Sequence, residues 1–203
     1  MQVQIKSYNL SAIDNRAVLL YAGVKSPSGN DNNLIGECVS EYENACNKVC
    51  YALFDVSVSG SEVTFPFGAI NSKSLSQRLK GCHKAVVFAG TIGIEIDRLI
   101  KKYSVISPSK AVIFQAIGTE RIEALCDEFC LDIENLVKKA GGETTTRFSP
   151  GYGDLPLDFQ LKIFNALNPQ KHVGIYVTDS LIMTPSKSVT AIVGVSTKSE
   201  ILL

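Results

Sequence analysis

A surplus of charge of either sign is missing from this chain. Across 203 residues Lys+Arg and Asp+Glu both number 20, so the formal net charge is zero. A large nucleic-acid footprint usually draws on a basic surplus, so no nucleic-acid partner is expected. Long apolar runs are missing too. None reaches the ~20 residues of a membrane-spanning helix, and no membrane association is expected. The N-terminus, Met1-Gln-Val-Gln-Ile-Lys6, has no basic stretch followed by an apolar segment, so it does not read as a signal peptide. A cytoplasmic location is then the default, and the six cysteines read as reduced thiols rather than disulfides. Histidine is scarce. His83 and His172 have no ligand-like neighbours and read as surface or strand-edge residues. No internal repeat is visible, and no low-complexity tract beyond the turn-rich residues 26–33.

The chain is long enough for one substantial core, with room for a small appended subdomain. A helix and hairpin portion is expected over residues 1–72 and the main core over 73–203, in what reads as one compact unit. Residues 1–7 alternate like a strand, and 11–22 read as a short helix started by Ser11 or Asp14. Residues 26–33 read as a loop. Leu34, Ile35, Cys38, Tyr42, Ala45, Val49 and Leu53 recur at three or four, which predicts a helix over 34–52. Residues 54–58 and 62–67 read as strands around the hairpin signal Ser59-Gly60-Ser61. A short helix over 74–80 ends near Gly81. The apolar strand 84–90 leads through Thr91-Ile-Gly93 into a helical pattern at Ile94, Ile96, Leu99 and Ile100, and this strand–loop–helix suggests a parallel unit. Pro108 and Gly141-Gly142 bound the longest helical region, 108–139, which Gly118 could bend. A helix is expected over 158–167, and strands over 173–178 and 188–196.

The run Arg147-Phe-Ser-Pro-Gly151-Tyr152-Gly-Asp-Leu-Pro156 carries the most chemical information. It places a permanent cation four residues before a glycine and five before an aromatic ring. Arginine offers a planar fork of donors suited to a carboxylate or phosphate. Pro150-Gly151 sets a turn in which bare backbone can approach a ligand. Tyr152 adds a flat apolar face with a polar tip. Together they suit a small zwitterionic ligand with an aromatic base. The same residues also fit a plain surface turn with a solvated Arg147.

Other features read more simply. Ala89-Gly90-Thr-Ile-Gly93 lacks the third glycine and the following acidic residue of a dinucleotide loop, so tight strand-to-helix packing is the better reading. Cys46/Cys50 and Cys126/Cys130 are spaced by four, which on a helix puts each pair on one face. That pattern fits a core as well as a metal or cluster, and buried thiols are common. Glu120, Glu123, Asp127 and Glu128 read by charge pattern as a solvated helix face.

Two ordered motifs then resemble one family. They are Arg147 to Tyr152, an R-x-x-x-G-Y pattern, and Val177-Thr-Asp-Ser-Leu-Ile-Met183-Thr-Pro185-Ser-Lys-Ser188-Val-Thr-Ala191. With Arg121-Ile-Glu123-Ala-Leu-Cys-Asp-Glu128 and the 79–100 segment, they resemble the reactivation (activation) domain of cobalamin-dependent methionine synthase. The resemblance covers roughly residues 75–196. It implies an α+β fold, a single C-shaped domain with a twisted antiparallel sheet flanked by helices.

The resemblance also implies an S-adenosylmethionine site. Arg147 would hold the methionine carboxylate and Glu123 would face its ammonium. Backbone around Ser149, Gly151 and Tyr152 would meet the adenosine, with the Tyr152 ring beside it. In that family the domain presents the methyl donor to an oxidised cobalamin while a flavodoxin-like protein supplies an electron. This chain has no Asp-x-His-x-x-Gly corrinoid signature. Cobalamin is therefore expected on a separate methionine synthase chain or other corrinoid protein, and no acid–base or nucleophilic residue is expected here. A tyrosine near the C-terminus of long relatives falls near Ile201, and an aspartate of their N-terminal extension has no clear counterpart. Those departures keep a second expectation open, a non-catalytic scaffold for a corrinoid methyltransferase. A third is a cysteine-bound cluster donating electrons.

Overall fold

The structure is a computed structural model that describes residues 2–26, 28–42 and 46–197. Ala45 of the helical pattern, Pro27 of the turn-rich run and Ile201 lie outside them. The elements in chain order are β1 (Gln4–Ser7), α1 (Asn15–Tyr21), α2 (Gly29–Glu41), β2 (Lys48–Asp55), β3 (Ser57–Ser59), β4 (Glu62–Phe65), β5 (Gly68–Asn71) and α3 (Lys73–Arg78). They continue with β6 (Lys84–Thr91), α4 (Glu95–Ile106), α5 (Pro108–Lys139), α6 (Phe159–Leu167), α7 (Pro169–Val173), β7 (Tyr176–Val177), β8 (Met183–Thr184) and β9 (Ser188–Val195).

The main sheet has the order β1-β2-β6-β9, and every neighbouring pair is antiparallel. The fold is α+β, and the parallel unit suggested by residues 84–100 is not formed. The misleading signal has a clear cause. Side chains of β6 alternate between faces. Val86 and Phe88 enter one core with Phe114, Leu125 and Phe129 of α5, while Ala85, Val87 and Ala89 enter a second with Leu75, Phe159 and Ile163. A strand buried on both faces reads as a continuous apolar run, which is the usual mark of a parallel sheet.

Helix α5 is the long wall of the first core. Pro108 sits in its first turn, Lys138 and Lys139 in its last, and Gly141 beyond it takes φ 73°. Each agrees with helix-end physics. Phe129 packs its ring 5.1 Å from Tyr51 and 4.6 Å from Phe88. Burying an aromatic side chain of this kind stabilises by about 1.5–3 kcal/mol. The helix runs without interruption through Gly118. A Cβ there would lie 2.9 Å from Ile96 Cγ1 and 3.0 Å from Lys187 Cε, so the glycine admits close neighbours.

Four expectations change. The turn-rich residues 26–33 start a helix: Ser28 caps α2 in a reciprocal pair with Asp31. The helix expected over 34–52 stops at Glu41, and Lys48–Asp55 is a strand with Val49, Cys50, Tyr51 and Ala52 all buried. Cys46 and Cys50 therefore do not share a helix face. Phe54 and Asp55 belong to β2, so the hairpin around Gly60 begins only at Ser57. Of the strand expected over 173–178, only Tyr176–Val177 pairs, with Met183–Thr184, because Pro169 opens the short helix α7.

Candidate functional site

The site is built where residues 143–148 run beside β9. Thr145 donates its N–H to Gly194 O at 3.0 Å, and Phe148 exchanges two bonds of 2.9 Å with Ile192. Strand alternation then separates two neighbours. Phe148 packs into the second core, under the Arg78 guanidinium 5.5 Å from its ring. Arg147 turns to α5. Its Nη1 donates to Asp127 Oδ1 at 2.7 Å, and its Nη2 donates to Glu123 Oε2.

The loop that follows is held at both ends. Gly151 donates its N–H to Leu155 O at 2.9 Å, and Leu155 returns one to Tyr152 O at 3.1 Å. Gly151 has φ 90° and Gly153 has φ 58°, a region that suits glycine. Asp154 reaches across to the start of α3, where it accepts from Ser72 Oγ, Lys73 N and Ser74 N. These three donors hold its carboxyl well below the usual carboxylate range. The loop is thus pinned to α3 at one point while Tyr152 stands 68% exposed.

These elements enclose a cleft of about 560 Å³, a size suited to a small ligand. Glu123 lines it from α5, Arg147, Ser149 and Tyr152 from the loop, and Gln160 from α6. Four of the five residues expected from the sequence therefore line one cleft. Gly151 is not in its lining and shapes the turn between Ser149 and Tyr152. Burial alone would lower the Arg147 pKa, but Cys126, Glu123 and Asp127 around it raise it, so its charge is secure. One wall thus offers a cation and a carboxylate side by side, with a ring at the rim. That suits the carboxylate and ammonium of an amino acid joined to a flat base.

Among the other lining residues, Gln160, Arg78 and Met183 had no role assigned from the sequence. Gln160 is buried and donates from Nε2 to Leu181 O at 2.6 Å. A glutamine inside the apolar helix pattern 158–167 was the available signal. Arg78 donates to Thr146 Oγ1, a contact that no spacing in the sequence announces. Met183 lay inside the second motif without an assigned role. Glu120 is a correction. It is buried rather than solvated, because Arg121 beside it bonds both its oxygens and also reaches Ser11 O at 2.6 Å.

The cysteines do not gather into a centre. Among the described residues no group of three or more His, Cys, Asp or Glu could hold a metal ion. Burial pushes the Cys50 and Cys126 thiols up to about 12, which makes them poor thiolates. No helix among the described residues is long and apolar enough to cross a membrane.

Comparison with known proteins agrees with this geometry. The family described as "Vitamin B12 dependent methionine synthase, activation domain" matches residues 78–202. No curated protein matches the chain. Among solved structures it is similar to one described as "Crystal Structure of the MetH Reactivation Domain bound to AdoHcy". The TM-score is 0.68 at 14% identity, over 100% of this chain and 81% of that one. At that identity the likeness concerns the fold.

Proposed function

This chain belongs to the family of vitamin B12 dependent methionine synthase activation domains, and we propose that its cleft holds S-adenosylmethionine for the reactivation of cobalamin on a partner protein. The observation that carries this reading is the wall formed by Arg147 and Glu123 beneath the exposed Tyr152 ring. Arg147 takes the α-carboxylate, for which a guanidinium fork is the best protein partner. Glu123 takes the α-ammonium. The backbone around Ser149 and the turn at Gly151 approach the adenosine, and the Tyr152 ring covers its base. The solved relative bound to AdoHcy supports a ligand of this class.

The bound methyl donor supplies the hard chemistry, and the protein supplies position and charge. The residues of the cleft bind and orient, with no nucleophile or proton-transfer group assigned to them. Cobalamin arrives on a separate cobalamin-binding methionine synthase chain or another corrinoid protein. The electron comes from a flavodoxin-like donor, and the whole exchange is cytoplasmic.

The test adds the purified protein to a synthase preparation oxidised to the inactive cobalt state, with reductant and S-adenosylmethionine. Turnover should return with wild-type protein and fail with Arg147→Ala. Loss of the charge-assisted contact should weaken S-adenosylmethionine binding by about 10- to 150-fold. A complex with the corrinoid protein that survives Arg147→Ala, with no restored turnover from either form, would overturn this reading in favour of a non-catalytic scaffold.

A further inference from the structure

We propose that Asp127, outside the cleft, is the positioning residue that keeps Arg147 turned to the carboxylate of the methyl donor; this rests on the ligand reading above. Glu123, Cys126, Asp127 and Cys130 stand at i, i+3, i+4 and i+7 of α5, one stripe of the helix. The Arg147 side chain lies along that stripe. Nη2 donates to Glu123, and Nη1 donates to Asp127 at 2.7 Å.

The two carboxylates are not equivalent. Glu123 lines the cleft, whereas Asp127 is one turn further along α5 and is not in the lining. A ligand ammonium that engages Glu123 draws it away from Arg147. The guanidinium would then swing on a long stem with many rotamers. Asp127 prevents that swing by holding Nη1 from the side away from the ligand, so Nη2 passes from Glu123 to the ligand carboxylate. Asp127 is 76% exposed in its side chain, so the pair adds little to folding. Its place beside a site-lining arginine gives it a use in binding instead.

A competing idea is that Asp127 merely occupies Arg147 and repels the incoming carboxylate. The two ideas predict opposite signs. The experiment is a calorimetric titration of the full chain with S-adenosylmethionine and with its decarboxylated analogue, which keeps the sulfonium, the amine and the adenosine. Wild type, Asp127→Ala, Asp127→Asn and Arg147→Ala are compared.

Asp127→Ala should weaken S-adenosylmethionine about three- to five-fold, the scale of an exposed ion pair, and leave the decarboxylated analogue unchanged. Asp127→Asn keeps the oxygen acceptor for Nη1 and should bind within about two-fold of wild type. Tighter or unchanged binding of S-adenosylmethionine by Asp127→Ala would overturn the proposal, as would an equal loss for both ligands. Wild-type affinity retained by Arg147→Ala, or no binding by the wild type, would overturn the ligand reading itself and this proposal with it.

Discussion

Asp154 and Ser72 are joined by a hydrogen bond of 2.6 Å between residues 82 apart in the chain. Through it the loop after Arg147 and helix α3 share one cap. Asp154 also takes the Lys73 and Ser74 N–H groups, which α3 itself leaves unpaired at its start. Because the folded carboxyl sits below its ordinary 3.8, its contribution is fully present above that value and is lost as pH falls through the lower folded value. Asp154→Asn should therefore lower Tm at neutral pH. The gap to wild type should begin to close only below 3.8 in thermal scans across pH. A gap that stays constant to the lowest pH reached would show that the carboxylate charge is not the source.

The two glycines of the loop differ in what surrounds them. A Cβ at Gly153 would meet Ser74 Oγ at 2.6 Å, whereas one at Gly151 would meet Leu157 Cδ1 at 3.3 Å. Both positions have positive φ, which costs an alanine about 1–2 kcal/mol. Gly153→Ala adds a clash with the α3 cap and should cost about 3 kcal/mol in all. Gly151→Ala should stay near the backbone cost alone. Urea unfolding of the two variants ranks them, and a larger loss at Gly151 would contradict the geometry.

Tyr152 should matter to the ligand and hardly at all to folding. At 68% exposure its ring contributes little burial, so Tyr152→Ala should change stability by less than about 0.5 kcal/mol. Stacking of a base on an aromatic ring is worth about 1–3 kcal/mol. The same variant should then weaken S-adenosylmethionine about 5- to 150-fold, while Tyr152→Phe keeps most of the affinity. Calorimetry of both variants decides it, and a Tyr152→Phe protein as weak as Tyr152→Ala would move the contact from the ring to the hydroxyl.

Much of this site was legible because its parts are local in sequence. The Arg147 to Tyr152 spacing and the bounds of α5, fixed by Pro108 and the glycines after Lys139, need no tertiary information. What failed depended on packing. Val49 to Leu53 kept a helical spacing with Leu34 and Ile35, yet two sheet neighbours made the segment a strand. Glu120 looked solvated because its partner is the adjacent Arg121, and neighbours in sequence do not normally face each other on a helix. Arg78 reaches the cleft from α3, far away in the chain, and no spacing records that meeting.

Gly118 offers a case in which two effects of similar size oppose each other. In a helix interior, glycine to alanine gains about 1 kcal/mol in propensity. Against this, the new Cβ would stand 2.9 Å from Ile96 Cγ1 and 3.0 Å from both Cγ and Cε of Lys187. Ile96 is fully buried and cannot retreat. Lys187 is flexible in principle, but its Nζ is tied to Thr119 Oγ1 at 2.9 Å. Overpacking of this kind costs about 1–3 kcal/mol, so the steric term should win. Gly118→Ala should be destabilised by about 1 kcal/mol net, the reverse of the propensity rule. In a Lys187→Ala background two of these three close contacts are gone, and the same substitution should cost less. Urea denaturation of the four proteins of that cycle measures the coupling. A stabilising Gly118→Ala, or a cost indifferent to Lys187, would show that α4 and the segment before β9 have room to move away from α5.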